Sequence, residues 1–369
     1  MNRREYVQLL RAVRDARAAG EPAALATVVG VKGSAYRREG TQMLVRRDRT
    51  YECALSGGCL EPAVAEAAVR VIDTGVPALV RYDLADDSIW GLGLGCIGAV
   101  DIYIERVDDD EATNDWLAAL ERGDAAVEVL SLSGSSGRLV VRDAVVVGSL
   151  SERELTNHAV ARARGRLRAQ DARSCAESID GAELFFLVST PPPHLVMFGA
   201  GHDAPAMAQL AWSLGFAVTV VDVREAFLTA DRFPGATLVS AHHGRFADAV
   251  RLTPGSFALV MNHHVERDRE SLRFCLTSPA RYIGVLGPRA RYEKMLAALP
   301  AEGCTFSNEA LSRVRSPVGL SIGAEAPGEI AVAVLSEILA VGRGFDGGFL
   351  NGSRRSLHVP DESSIFARS

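Results

Sequence analysis

The sequence predicts an α/β chain: a C-terminal Rossmann-like parallel sheet with helices on both faces, preceded by an N-terminal mixed α+β domain. Three observations predict it. Apolar runs at 195–198, 217–221, 258–261 and 282–286 alternate with helical segments, and runs this continuous suit parallel strands covered on both faces. The first run enters Gly199-Ala200-Gly201-His202-Asp203-Ala204, a helix follows from Pro205, and Asp222 ends the next strand. Pro191-Pro192-Pro193, stiff and without N–H donors, separates this alternating texture from a different one. The domains read as 1–190 and 191–341, with a loosely ordered tail at 342–369, rich in Gly, Ser and Arg.

Size and composition agree with two domains. A single core rarely grows past roughly 250–300 residues, and the chain has 369. Its apolar share is 48% and its charged share 23%, ordinary for a globular protein. A net charge of -6 supplies no basic footprint for nucleic acid and disfavours anionic membrane surfaces. The N-terminus, MNRREYVQLL, shows no signal peptide, and no run approaches the roughly 20 apolar residues of a membrane-spanning helix. The six cysteines include no CxxC pair. The expectation is a cytoplasmic protein with reduced thiols.

In the N-terminal half, Tyr6, Leu9, Leu10 and Val13 follow helical spacing, and 23–29 and 42–45 read as short strands. The loop between those strands carries Arg37 and Arg38, a fork for phosphate or a planar oxo-anion. Ser56-Gly57-Gly58-Cys59-Leu60-Glu61 precedes a helix opened by Pro62. Gly91-Leu92-Gly93-Leu94-Gly95-Cys96-Ile97-Gly98 precedes a strand in which Val100, Ile102 and Ile104 alternate with polar residues. From 108 to 190 the pattern is weaker: a helix through Trp116, strand-like runs at 125–130, 139–141 and 144–147, and an Arg-rich run at 161–168 that reads as a solvated face.

The chemistry of these segments follows from their residue types. Gly199 permits a tight turn, Gly201 lets backbone approach a phosphate, and a helix N-terminus offers free N–H groups to an anion. Asp222 is placed to accept from a ribose hydroxyl. His202 and Asp203 lie in the turn, where His202 either faces a second ligand or caps local backbone. Each glycine loop with its cysteine, Cys59 or Cys96, reads in one of two ways: as an anion-binding nest beside a thiol, or as a tight turn around a small buried hydrophobe. His263 and His264 follow a strand at the sheet's carboxyl edge, where α/β ligands bind. Arg289 and Arg291, after Gly287-Pro288, are either further anion contacts or solvated helix residues.

As an ordered set, four stretches resemble the xanthine dehydrogenase accessory protein family (XdhC/CoxI). They are GSAYRREGTQMLV with SGGCLE; WGLGLGCIG; HLVMFGAGHDA with VVDVRE; and MNHHVERDRESL with YIGVLGPRARYEKML and PVGLSIGAEAPGEIA. The resemblance implies an accessory protein that binds the molybdenum cofactor, a pterin bearing a phosphate or a nucleotide-extended form of it. It implies support for sulfuration by a cysteine desulfurase and delivery to a xanthine dehydrogenase-like molybdenum hydroxylase. Gly57, Gly58, Cys59 and Glu61 match the family's GGCxE element, and Gly199, Gly201, His202 and Asp203 its nucleotide-type turn. In this reading Arg37 and the glycine loops hold the phosphate end, and Cys59 contacts molybdenum or its sulfur ligand. A homodimer is an expectation for a chain of this class. The chain departs from the family pattern at Ala35-Tyr36, Ser321, Gly328 and Ala326, the last standing where a threonine cap is usual. The alternative reading is an NAD-dependent oxidoreductase built on Gly199, Gly201 and Asp222, with His263 or His264 as proton donor.

Overall fold

The computed structural model describes residues 1, 3–33, 36–83, 98–132, 137–169 and 173–351. The chain divides into two compact units, Met1–Pro191 and Pro192–Ser369. No described helix is long and apolar enough to cross a membrane.

The first unit contains two five-stranded antiparallel sheets. Helix α1 (Arg3–Ala18) leads into β1 (Ala23–Gly33), β2 (Gln42–Arg46), β3 (Tyr51–Glu52), α2 (Glu61–Thr74), β4 (Ala78–Asp83) and β5 (Gly98–Arg106). These strands are ordered β3-β2-β1-β5-β4. Helix α2 begins with Pro62, whose missing N–H costs nothing in a first turn, and ends at Gly75 with φ 70°. Its Val64, Ala68 and Val71 pack on Ala26, Met43 and Ile102 of the sheet.

The second sheet follows α3 (Glu111–Arg122), which starts where the Asp110 carboxylate accepts the Thr113 amide at 2.9 Å. Its elements are β6 (Ala126–Ser131), β7 (Arg138–Arg142), β8 (Val145–Ser149), α4 (Arg153–Ala169), β9 (Cys175–Ile179) and β10 (Ala182–Ser189), in strand order β8-β7-β6-β10-β9. The Arg-rich run lies on α4, and the expectation of a fully solvated face fails for Arg166. Its side chain is 11% exposed, ion-paired to Glu177 and set over the Phe186 ring at 5.2 Å. The pairing partner lies on β9, beyond the reach of local pattern.

The second unit is a parallel sheet of six strands, four of which the apolar runs predict. Its elements are β11 (His194–Phe198), α5 (Ala204–Ser213), β12 (Ala217–Asp222), β13 (Thr237–Ser240), α6 (Phe246–Ala249), β14 (Ser256–Val260), α7 (Val265–Thr277), β15 (Tyr282–Val285), α8 (Arg289–Ala298), α9 (Asn308–Ser312), β16 (Val314–Arg315) and α10 (Pro327–Arg343). Strand order is β13-β12-β11-β14-β15-β16, so the direction of chain progress reverses between β11 and β14. Such a switch point places a crevice at the strands' carboxyl ends. One face buries Met197, Met207, Phe257, Leu335 and Ile338; the other buries Val196, Phe198, Leu272, Ile283 and Met295. At the start of α10, Ala326 has N-cap geometry without a side-chain cap, while Glu329 accepts the Glu325 and Ala326 amides at 2.9 and 3.0 Å. Half of a capping box is therefore in place. Ala326→Thr is expected to stabilise the protein by about 1 kcal/mol, measured by equilibrium denaturation; no gain would mean that Glu329 already satisfies this helix end.

Candidate functional site

In the second unit the site is built around the turn between β11 and α5. Gly199 adopts φ 123°, and a Cβ there would collide with the Met261 carbonyl of the neighbouring strand end. The turn is thus pressed against the carboxyl end of β14, as the switch point requires. The Gly199 amide donates to the Val221 carbonyl at 2.8 Å, and the Ala200 amide to Asp222 Oδ2 at 2.7 Å. Beyond these, the amides of Gly201, His202, Asp203 and Ala204 donate to no acceptor among the described residues. A row of unpaired N–H groups at the positive end of α5 is an arrangement that stabilises an anion.

Asp222 sits at the end of β12 with its side chain 1% exposed. Both oxygens are engaged: Oδ1 accepts the Arg224 amide and Nε, each at 2.9 Å, and Oδ2 accepts Ala200 and an Arg224 guanidinium nitrogen, each at 2.7 Å. Burial alone would raise its pKa; the Arg224 fork and the two backbone amides outweigh it and hold the carboxyl below its usual range. Arg224 also stacks on Phe227, its guanidinium carbon 4.2 Å from the ring centre. Arg232 flanks the same ring at 5.1 Å and donates to the Gly201 carbonyl at 2.8 Å. Sequence reasoning passed over both arginines, although the spacing in Asp222-Val223-Arg224 was a readable signal.

The histidine after β14 reaches the same turn. His263 has φ 57°, and its Nε2 lies 3.2 Å from Asp203 Oδ2. Its ring lies 3.3 Å from where a Cβ on Gly201 would stand. Asn262 is fixed by Asp268, which accepts its amide at 2.8 Å and its side-chain nitrogen at 3.0 Å; Asp268 is in turn paired with Arg291. Burial pushes the Asp268 carboxyl up, opposed by these hydrogen bonds and by Arg291. Arg291 is therefore committed within the fold, whereas Arg289 pairs with Glu293 on an exposed face at 2.9 Å. His202 is exposed and makes no side-chain hydrogen bond among the described residues.

In the first unit, Ser56 organises the glycine–cysteine loop. The amides of Gly58, Cys59 and Leu60 converge on Ser56 Oγ at 3.2, 3.2 and 3.1 Å, and Cys59 Sγ lies 3.3 Å from it. The hydroxyl donates to Glu61 Oε2 at 2.5 Å, and Glu61 Oε1 accepts the Leu55 and Ser56 amides at 3.0 and 2.7 Å. Glu61 is fully buried; burial would raise its pKa, but the Ser56 hydroxyl and the surrounding amides hold it low. The loop is thereby locked by one serine and one carboxylate, with its glycines facing outward. A Cβ at Gly57 or Gly58 would meet nothing within 4 Å, and Gly58 has φ 108°. Cys59 is half-buried and carries a free thiol.

Arg37 pairs with Glu5 of α1 at 2.6 Å and makes no hydrogen bond or ion pair with the 56–61 loop. Cys96 lies outside the described residues. The structure therefore brings together Gly201, Asp203 and His263 in one unit, with Asp222 bonded to the same turn, and Gly58, Cys59 and Glu61 in the other. No group of three or more His, Cys, Asp or Glu among the described residues is placed to hold a metal ion.

Comparison with known proteins follows the same division. Residues 195–338 match the XdhC Rossmann domain, and residues 16–83 match the XdhC and CoxI family. The chain is 32% identical over 333 residues to a Bacillus subtilis protein named as a probable component of xanthine dehydrogenase, covering 86% of this chain and 93% of that one. It is 24% identical over 339 residues to the molybdenum cofactor insertion chaperone PaoD of Escherichia coli, covering 91% and 89% of the two chains. A crystal structure of a Bacillus halodurans protein described as a xanthine dehydrogenase matches with a TM-score of 0.75 at 29% identity, over 94% of this chain and 98% of that one.

Proposed function

The chain belongs to the XdhC and CoxI family, and on that premise we propose that it is an accessory protein that binds the molybdenum cofactor, supports its sulfuration and delivers it to a xanthine dehydrogenase-like molybdenum hydroxylase. One observation carries the reading: the turn at 201–204 offers four amides with no partner among the described residues, the donor set that a phosphate group needs. The outward-facing Gly57–Gly58 backbone beside a free thiol supplies a second element suited to a sulfur-bearing ligand. The likeness to a cofactor insertion chaperone over most of both chains supports the same role. In this reading the cofactor is cargo. The chain's own residues hold its phosphate and shelter it from water, Cys59 is the thiol offered to a sulfur-bearing ligand, and a cysteine desulfurase supplies the sulfur in the cytoplasm.

The test is uptake. Full-length protein incubated anaerobically with molybdenum cofactor is expected to retain about one per chain, a stoichiometry set by one phosphate turn per chain. Cys59→Ala is expected to retain the cofactor several-fold less well while losing no more than about 1 kcal/mol of stability, because the thiol packs on the core of the first sheet from a half-buried position. Absence of uptake by the parent protein sinks the proposal.

The oxidoreductase reading draws on the Asp203–His263 pair beside the turn. Against it stands Asp222, the residue that would take the ribose: both of its oxygens are already occupied by Arg224 and Ala200. Saturable quenching of NADH fluorescence would favour that reading over the accessory one.

A further inference from the structure

The turn at 201–204 carries a negative charge of its own. Asp203 stands at the N-cap position of α5, where an aspartate ordinarily accepts an amide of the first turn. Its carboxylate makes no such hydrogen bond. It lies instead 3.2 Å from His263 Nε2 and has no other side-chain partner among the described residues. The carboxylate is 18% exposed and belongs to the same four residues whose amides face no acceptor. His263 reaches it from the end of β14 through a left-handed backbone, φ 57°, a conformation that persists only where the surroundings hold it. An oxyanion resting on those amides therefore meets a carboxylate beside them, and a protonated His263 neutralises that carboxylate.

The other charges around this pair are compensated or fixed. Asp268, which faces His263 from α7, is paired with Arg291 of α8. Asp222 is saturated by Arg224 and the Ala200 amide. Arg232 keeps a constant positive charge, committed to the carbonyls of Gly201 and Phe227 at 2.8 and 2.6 Å. His202 and His264 are exposed, where water and salt screen them. Imidazole changes charge between about pH 5 and 8. Across that range the Asp203–His263 pair passes from neutral in sum to negative.

We propose that Asp203 and His263 form a proton-linked gate on the turn: the protonated pair admits an oxyanion, and loss of the His263 proton leaves the Asp203 carboxylate to repel it. The inference rests on the reading of that turn as the seat of the cargo's phosphate, and it assigns the regulation of that seat. Loading is coupled to uptake of a proton and discharge to its release, because the coupling between two ligands is reciprocal. His263 is a positioning residue here, acting on the anion through the charge of Asp203.

Calorimetric titration of the full-length protein with sulfate, an oxyanion whose own charge is constant over this range, tests it. Sulfate is expected to bind about ten-fold more tightly at about pH 5 than at about pH 8, since a neighbouring charge shifts a proton equilibrium by about one unit or more and acts equally in return. Near neutrality, titrations in buffers of different ionisation heat are expected to show uptake of part of a proton. His263→Asn suits the left-handed backbone. It is expected to bind sulfate as weakly at the lower pH as the parent does at the higher one, without proton uptake. Asp203→Asn is expected to bind at the higher pH as tightly as the parent does at the lower. Equal binding by the parent at both pH values overturns the gate and leaves the reading of the turn in place. So does a dependence that survives His263→Asn, which would belong to His202 or Asp268. Sulfate binding at neither pH overturns the reading of the turn itself, and the gate with it.

Discussion

Replacing Gly199 with alanine is expected to destabilise the protein by at least about 3 kcal/mol and to lower its melting temperature by roughly 6–12 °C. Two effects add. The residue sits at φ 123°, a region L side chains rarely adopt. Its new Cβ would also overlap the Met261 carbonyl and stand 2.8 Å from Asn262 Cα. Those atoms are backbone, and Asn262 is held by Asp268 through two hydrogen bonds, so the obstruction cannot swing aside. Gly201→Ala provides the contrast. Its Cβ would meet the His263 ring at 3.3 Å, and that partly exposed side chain can shift. Gly201→Ala is expected to stay within about 1 kcal/mol of the parent, as relaxed surface substitutions do. A Gly199→Ala protein as stable as the parent would show that the turn is not wedged against β14, and the anion-binding geometry argued from it would fall.

The turn was legible because its constraints are local. A glycine where β11 meets β14, a proline opening α5 and an acid closing β12 follow one another within a short stretch, and continuous apolar runs betray strands buried on both faces. What escaped the sequence reading depends on distant partners. Strand β13 is four residues long and only partly buried, so its texture matches a loop. Strands β4 and β9 are sheet edges that alternate half-buried and exposed positions, and the weak apolar contrast hides them. In the candidate site, the glycines and Cys59 were readable as a loop before a helix. That Ser56 and Glu61 lock the loop is a matter of folding back, and no spacing rule states it. Asp222 was readable as an acceptor at a strand end, but its saturation depends on where the Arg224 side chain turns. The buried Glu105–Arg138–Glu128 cluster went unnoticed for the same reason. Each member looks like an ordinary charge on a strand until β5, β6 and β7 assemble.

That cluster sets the second large effect. Arg138 pairs with both Glu105 and Glu128, the latter at 3.2 Å, and their side chains are 16%, 13% and 1% exposed. Two carboxylates share one guanidinium, so Arg138→Met would strand both in the interior. The expected loss is about 3–5 kcal/mol, the typical result of removing one partner from a buried ion pair. The intact cluster also shapes the pH dependence. Burial pushes Glu128 up to about 7; Arg138 opposes this and Glu105 adds to it. Glu105 and Asp268 are raised as well, burial again leading. A carboxyl with a raised folded pKa binds its proton more tightly in the native state than in the unfolded one. For Glu128 the stabilising contribution is therefore complete below the unfolded value of about 4.3 and is lost as pH climbs through about 7. Asp222 and Glu61, held low, act oppositely and lose their contribution only in acid. The melting temperature should therefore be higher at pH 6 than at pH 8, and Glu128→Gln should flatten that slope by removing the group that titrates there. Equal melting at the two pH values would mean that Arg138 keeps both carboxylates ionised. Arg138→Met would then be costlier than two-to-one pairing implies, because its removal would expose two full charges to the core.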